Sequence, residues 1–178
     1  MNTENFFYKL DNSCTILNKV FDFLPKAEWE WVPYMNMATN LPQHLIKHDP
    51  FLSRIPKKFY PVLRLYKFST NSIYNWHRDK DIGCSMNMVL DDYRAFTLFN
   101  NEERLGITNN ITELAYEKHR WYLFNSQMQH QVVSLHPTDR YLLTVTFPKI
   151  TQYEDVLSYF KQQELAAFQE ATPQCPAQ

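Results

Sequence analysis

The hydrophobic positions of this chain change period as the sequence is read from its start. Ile16, Leu17, Val20, Phe21 and Leu24 recur at helical spacing. Asp11, Asn12 or Ser13 can cap that run and Pro25 ends it, so the spacing predicts a helix over 11–24. Trp29 and Trp31 then alternate with Glu30, and with Val32, Tyr34 and Met35 they predict a short strand. Residues 39–58 lose any period. Asn40-Leu41-Pro42 and Asp49-Pro50 each pair a cap with a proline in the first helical turn, so two short helices are expected. Their prolines and the cluster Arg54, Lys57 and Lys58 read as a surface cover rather than as core.

From Tyr60 the period falls to two. Val62, Arg64, Tyr66 and Phe68 share one face, with Leu63, Leu65 and Lys67 on the other. Further strands are expected at 73–79, 84–90, 95–99, 111–116, 120–124, 129–135 and 140–147. Turns are expected at 69–72, 81–83, 91–93 and 136–139, and a polar loop at 100–109. Short strands at this spacing are the signature of a sandwich or small barrel. Thr151-Gln152-Tyr153-Glu154 has the form of a capping box. It opens a helix whose apolar face is Tyr153, Val156, Leu157, Phe160, Ala167 and Phe168, followed by a loose tail, Pro173–Gln178. The length, 178 residues, suits one domain. Residues 1–58 form the N-terminal helical cover, 59–148 the β core and 151–172 the C-terminal helix.

Composition sharpens this picture in three places. A net charge of −1 and a pI near 6.6 give no basic footprint, so a nucleic-acid partner is not expected. No apolar run reaches membrane length and no secretory signal opens the chain, so neither a membrane nor an export route is expected. Cys14, Cys84 and Cys175 are odd in number and in no metal spacing, which predicts free thiols and a cytoplasmic location. Glycine occurs only at Gly83 and Gly106, so Asp91-Asp92, Asn100-Asn101 and Asn109-Asn110 are expected to make the turns instead.

The candidate chemistry lies in two stretches. In Tyr74-Asn75-Trp76-His77-Arg78-Asp79, His77 and Asp79 are two residues apart and share a face if the strand continues. His130 begins a later strand, and Arg140 opens the last one ten residues on. Two histidines and one carboxylate, with coordination positions left open, form the facial triad of non-haem Fe(II). An H-x-D tripeptide is common by chance, and the bland reading is a surface His beside a solvated carboxylate. His136 competes with His130, but it lies in a turn, where a ligand is held less firmly than on a strand. His44, His48 and His119 fit no spacing and read as surface residues.

The order of strand, H-x-D, several strands, His, ten residues, Arg and apolar strand resembles the Fe(II)/2-oxoglutarate-dependent oxygenase superfamily. The prolyl-4-hydroxylase-like and aspartyl/asparaginyl-hydroxylase-like branches are nearest. The likeness runs from Val62 to Phe147 and is carried by Tyr74–Asp79, Leu123–Val133 and Arg140–Thr144. It implies a mainly β fold, a double-stranded β-helix (jelly roll, cupin-like) with flanking α-helices. It implies that His77, Asp79 and His130 bind Fe(II), and that Arg140 pairs with the distal carboxylate of 2-oxoglutarate. Tyr66 is the first choice for an aromatic phenol at that carboxylate and Tyr74 the second. Thr144 shares a strand face with Arg140 and can add a hydroxyl, and Asn87 is placed to reach the other end of the cosubstrate. O2 is the co-reactant, ascorbate an accessory reductant, and the product a hydroxylated protein side chain, free amino acid or other small molecule. Substrate contacts are expected from residues 29–58 and loop 100–110, with Arg78 and Arg94 at the mouth. The chain departs from the prolyl-hydroxylase-like pattern, since no glycine precedes Arg140. Two rivals remain: a β-sandwich binding module without catalysis, and a cupin-like metalloenzyme that does not use 2-oxoglutarate.

Overall fold

The computed structural model describes residues 3–10, 12, 14–32, 35–92, 95–100 and 111–171. Along the chain run β1 (Phe7–Leu10), α1 (Leu17–Phe23), β2 (Glu30–Val32), β3 (Met35–Asn40) and α2 (Leu45–His48). The core strands follow as β4 (Val62–Phe68), β5 (Ser72–His77), β6 (Ile82–Val89), β7 (Ala95–Asn100), β8 (Ile111–Ala115), β9 (Trp121–Phe124), β10 (His130–Ser134) and β11 (Arg140–Pro148). The last element is α3 (Tyr153–Ala171). A large sheet has the order β1-β9-β6-β11-β4-β3-β2 and a small one the order β5-β10-β7-β8, with every ladder antiparallel. β4, β6, β9 and β11 lie in the large sheet, while β5, β7, β8 and β10 lie in the small one. The chain is mainly β, and this winding between two sheets is the expected double-stranded β-helix.

Strand parity divides the large sheet into two jobs. Leu63, Leu65, Met86, Met88, Trp121, Leu123, Leu143 and Val145 all face outward into the main apolar core. The alternate residues, Tyr66, Phe68, Asn87, Val89, Tyr122, Phe124, Leu142 and Thr144, face the small sheet. One face therefore carries stability and the other lines an internal pocket.

The N-terminal third departs from expectation. Residues 41–59 are not a surface cover: Leu41, Leu45, Leu52, Ile55 and Phe59 are buried in the main core. At about 2 kcal/mol for each buried aliphatic side chain, their burial outweighs the polar texture that suggested a cover. In place of two short helices, this region holds α2 and two single 3-10 turns, Leu52–Arg54 and Lys57–Phe59. α1 begins at Leu17 and not in 11–13. The physical reason is Asp49, whose buried carboxylate accepts hydrogen bonds from the backbone and hydroxyl of Thr15 and from the N–H groups of Phe51 and Leu52. It ties down Thr15 before α1 and caps the turn after Pro50. The short strand expected around Trp29 forms as β2, and β3 was not foreseen beyond Met35.

Smaller differences have local causes. Ile82-Gly83 lies inside β6 rather than in a turn, where a Cβ on Gly83 would collide with the Thr151 carbonyl and stand 3.0 Å from the Pro148 oxygen. Asn100 belongs to β7, with its amide bonded to Gln129. Among the described residues, left-handed backbone falls at Tyr60, Asn71 and His119, while Asn101, Asn109 and Asn110 lie outside them. The Thr151 hydroxyl donates to the Phe59 carbonyl, and α3 starts at Tyr153. Tyr153, Val156 and Phe160 are buried as expected, whereas Ala167 is exposed. The loop 101–109, the tail from 173, Arg94, Phe168's side chain and Cys175 lie outside the described residues.

Candidate metal centre

His77 closes β5 and His130 opens β10, and the ladder sets them directly opposite each other. Their ring centroids are 4.2 Å apart. A register shift between His130 and Val132 interrupts the ladder here, as β-bulges do where a side chain must be re-aimed. His77 Nδ1 lies 2.7 Å from the Asn75 carbonyl and His130 Nδ1 2.9 Å from that of Met128. Each Nδ1–H therefore donates to a carbonyl two residues upstream, which leaves Nε2 as the lone-pair nitrogen. Asp79 is past the end of β5, so strand alternation does not place it. Its N–H donates to the Ser126 carbonyl at 3.0 Å, and the Gln127 amide bonds the carbonyls of both Asp79 and Ile82. The Asp79 carboxylate comes within 3.8 Å of His77 Nε2. One ligand atom from each of His77, Asp79 and His130 falls within 4.8 Å of the other two.

The protonation states suit a cation. Burial pushes His130 down to about 3, helped by the neighbouring His77 and opposed by the Met128 carbonyl. The ring is thus neutral at physiological pH. Burial pushes the Asp79 carboxyl up, while His77 and the Ser126 side chain favour its charged form. A divalent ion would reinforce that charged form.

These three residues form one end of a pocket between the sheets. Arg140 stands at the other end. It opens β11 opposite Phe68, is 1% exposed, and holds its guanidinium 5.4 Å from the Phe68 ring and 5.2 Å from the Tyr116 ring. Thr144 shares its face, and the Thr144 hydroxyl is buried with no hydrogen-bond partner. Asn87, opposite Thr144, turns its amide nitrogen toward the Tyr116 hydroxyl at 3.5 Å and leaves its buried oxygen unbonded. Tyr74 packs edge-on against Phe68, and Tyr66 lines the same cavity. The candidate ligands His77, Asp79 and His130 and the candidate cosubstrate residues Arg140, Tyr66, Tyr74, Thr144 and Asn87 all line this pocket. His136 does not: it bonds Thr138 in the turn before β11. His44 and His48 are exposed, with rings 5.7 Å apart, whereas half-buried His119 bonds the Leu90 carbonyl. Arg78 is exposed and does not line the pocket. Of residues 29–58, Val32 and Ala38 pack on the pocket side of the sheet, and 41–59 pack on its far face.

Tyr116, Thr97, Ser126 and Gln127 were missed. Tyr116 continues the Thr112, Leu114 alternation, but nothing in that alternation tells which face meets a pocket. Gln127 acts through backbone carbonyls, which leave no trace in residue spacing.

No protein-family model matches the chain, and no curated protein matches it. Solved structures do. An oxidoreductase of the 2OG-Fe(II) oxygenase family from Burkholderia pseudomallei aligns with a TM-score of 0.56 at 11% identity, covering 76% of this chain and 80% of that one. The two chains share a fold. A Pseudomonas putida prolyl-4-hydroxylase aligns at 0.41 and 13% identity over 75% of this chain and 99% of that one. A predicted oxalate decarboxylase from Thermotoga maritima aligns at 0.42 and 12% identity over 70% and 95%. The fold is thus independent support for the jelly roll, and the chemistry rests on the residues in the pocket.

Proposed function

We propose that this chain is an Fe(II)- and 2-oxoglutarate-dependent dioxygenase that hydroxylates a small molecule, a free amino acid or a protein side chain. The observation that carries this reading is the pairing, in one pocket, of a His77/Asp79/His130 cluster at one end with the buried Arg140 guanidinium at the other. The donor set fits a divalent cation: two imidazoles, each with Nδ1 against a backbone carbonyl, and one carboxylate, occupying three of an octahedral ion's positions. The far end fits a carboxylate. Arg140 offers a rigid fork of donors, and the orphaned Thr144 hydroxyl needs an acceptor that the protein does not supply.

Bound there, iron and 2-oxoglutarate would supply the oxidising chemistry, with O2 consumed, succinate and CO2 released, and ascorbate able to keep the iron reduced. The chain's own residues do the rest. His77, Asp79 and His130 hold the ion. Arg140, Thr144 and the phenols of Tyr66, Tyr74 and Tyr116 orient the dicarboxylate. Asn87 reaches its middle. Phe68, Phe124, Val132 and Leu142 keep water from the pocket. No described helix is long and apolar enough to cross a membrane, and Cys14 and Cys84 are free thiols, which supports a cytoplasmic location.

The test is visible absorption under anaerobic conditions. Fe(II) followed by 2-oxoglutarate should give a weak charge-transfer band in the wild type, absent in His130→Ala and requiring far more 2-oxoglutarate in Arg140→Ala. Metal binding without a band would favour a cupin-like metalloenzyme, and no metal binding would leave a binding module.

A further inference from the structure

The pocket-facing side of β4 carries three side chains in register, Arg64, Tyr66 and Phe68. The last two line the cavity, and Arg64 stands just beyond it. Its neighbours across the sheet are Thr144 on β11 and Asn40 on β3. It is half-buried, and its Nε is buried without a hydrogen-bond partner. Among the described residues no carboxylate pairs with it. A guanidinium held against a pocket with no anionic partner is costly unless something else neutralises it.

Position separates Arg64 from the cosubstrate end. Arg140 lies opposite Phe68 and Arg64 opposite Thr144, so the two Cα positions are four residues, or roughly 13 Å, apart along the sheet. Arg140 is packed against Phe68 and Tyr116. Two residues further in the same direction Thr146, Ser85 and Phe124 stand opposite one another across the sheet, and the Phe124 ring centroid is 4.9 Å from that of His130. Arg64 therefore belongs to the metal end of the cavity, at its rim.

Charge balance says what it meets there. Among the lining residues Asp79 is the one carboxyl group and Arg140 the one guanidinium, and with a cation bound beside Asp79 their charges cancel. A divalent cation and a dicarboxylate cancel in turn. Among the described residues of the pocket and the β4 face that lines it, Arg64 is the charge left over. We propose that Arg64 receives the carboxylate of a small acidic substrate and so places that molecule against the metal cluster. This rests on the oxygenase reading above and narrows its substrate to carboxylic acids.

The probes are the proteinogenic L-amino acids and their α-amides, added anaerobically to protein loaded with Fe(II) and 2-oxoglutarate. At least one acid should shift the charge-transfer band, with its amide weaker by about tenfold or more. Arg64→Gln should lose that response by a similar factor, Arg64→Lys should recover part of it, and both should bind 2-oxoglutarate as the wild type does. Melting curves establish that both variants are folded. The proposal is overturned if no acid shifts the band, if amides act equally well, or if Arg64→Gln responds normally. It is also overturned if Arg64→Gln loses 2-oxoglutarate itself, since Arg64 would then belong to the cosubstrate site. If the wild type forms no band at all, the oxygenase reading is what fails. The same acids and amides are then titrated by calorimetry against Zn(II)-loaded protein, where the Arg64 contrast must still appear.

Discussion

His77 and His130 each give the Nδ1 proton to a carbonyl two residues upstream, so their Nε2 lone pairs are aimed before any ion arrives. Asp79 has no such local device. It is aimed through its backbone, by Ser126 and by the Gln127 amide that bridges Asp79 and Ile82. Replacing that bridge should loosen one ligand and spare the other two. Gln127→Leu is expected to weaken metal affinity by about tenfold to a hundredfold, the range of outer-shell supports, read by competition with a chromophoric chelator. An unchanged affinity would mean that Ser126 alone sets the Asp79 position. The thiols give a second residue-scale expectation. Burial pushes Cys14 up to about 12 and pushes Cys84 up as well. At pH 8 roughly one Cys14 thiol in ten thousand is then a thiolate, so iodoacetamide should modify neither until the protein is unfolded. Prompt labelling of Cys14 in native protein, read by peptide mass, would contradict that. At this scale the sequence was legible where chemistry uses charged side chains at fixed spacing, as at His77, Asp79, His130 and Arg140. It was silent on Gln127 and Tyr116, whose roles depend on which strands become neighbours.

Elements tell the same story through their boundaries. The alternation of Val62–Phe68 and the apolar run of Arg140–Phe147 marked β4 and β11 because each face of a strand has one fate along its length. α1 was drawn too long because Thr15, just before it, gives its backbone N–H to Asp49, a partner 34 residues away that no local rule can see. Asp49→Ala would remove the shared acceptor of four hydrogen bonds at once. It should cost about 3 kcal/mol, a fall in Tm of roughly 6–12 °C, with the metal-dependent signals of the folded protein unchanged. A loss below about 1 kcal/mol would show that water replaces the carboxylate. Gly83 is the matching case for glycine. It is needed for close approach rather than for a turn, because β6 runs against the 148–151 corner that leads into α3. Gly83→Ala should cost about 3 kcal/mol as overpacking against backbone that cannot move aside, measured by chemical denaturation. Gly83→Ala at wild-type stability would mean that the corner shifts freely.

The whole molecule is two sheets held at different strengths. The large sheet is buttressed from outside by residues 41–59, α1 and α3, which share its apolar core. In the small sheet, β5 leaves Ile73 exposed, and β8 leaves Ile111 exposed at the opposite edge. The candidate ligands His77 and His130 are on that less supported sheet, while Arg140 and Thr144 are on the large one. A metal ion alone would therefore tie β5 to β10, and a dicarboxylate reaching from the ion to Arg140 would tie one sheet to the other. Binding to the folded state adds RT ln(1 + [L]/Kd), about 2.7 kcal/mol at a hundredfold excess over Kd. For a chain of this length that raises Tm by roughly 5–10 °C per ligand. Two separate increments are expected, the first from a divalent ion and the second from 2-oxoglutarate added to the metal-loaded protein. Arg140→Ala should keep the first and lose the second, and hydrogen exchange should slow in β5 and β10 at the first step. If both ligands raised Tm in Arg140→Ala as in the wild type, the two sheets would not be bridged through Arg140, and the dicarboxylate would have to lie elsewhere.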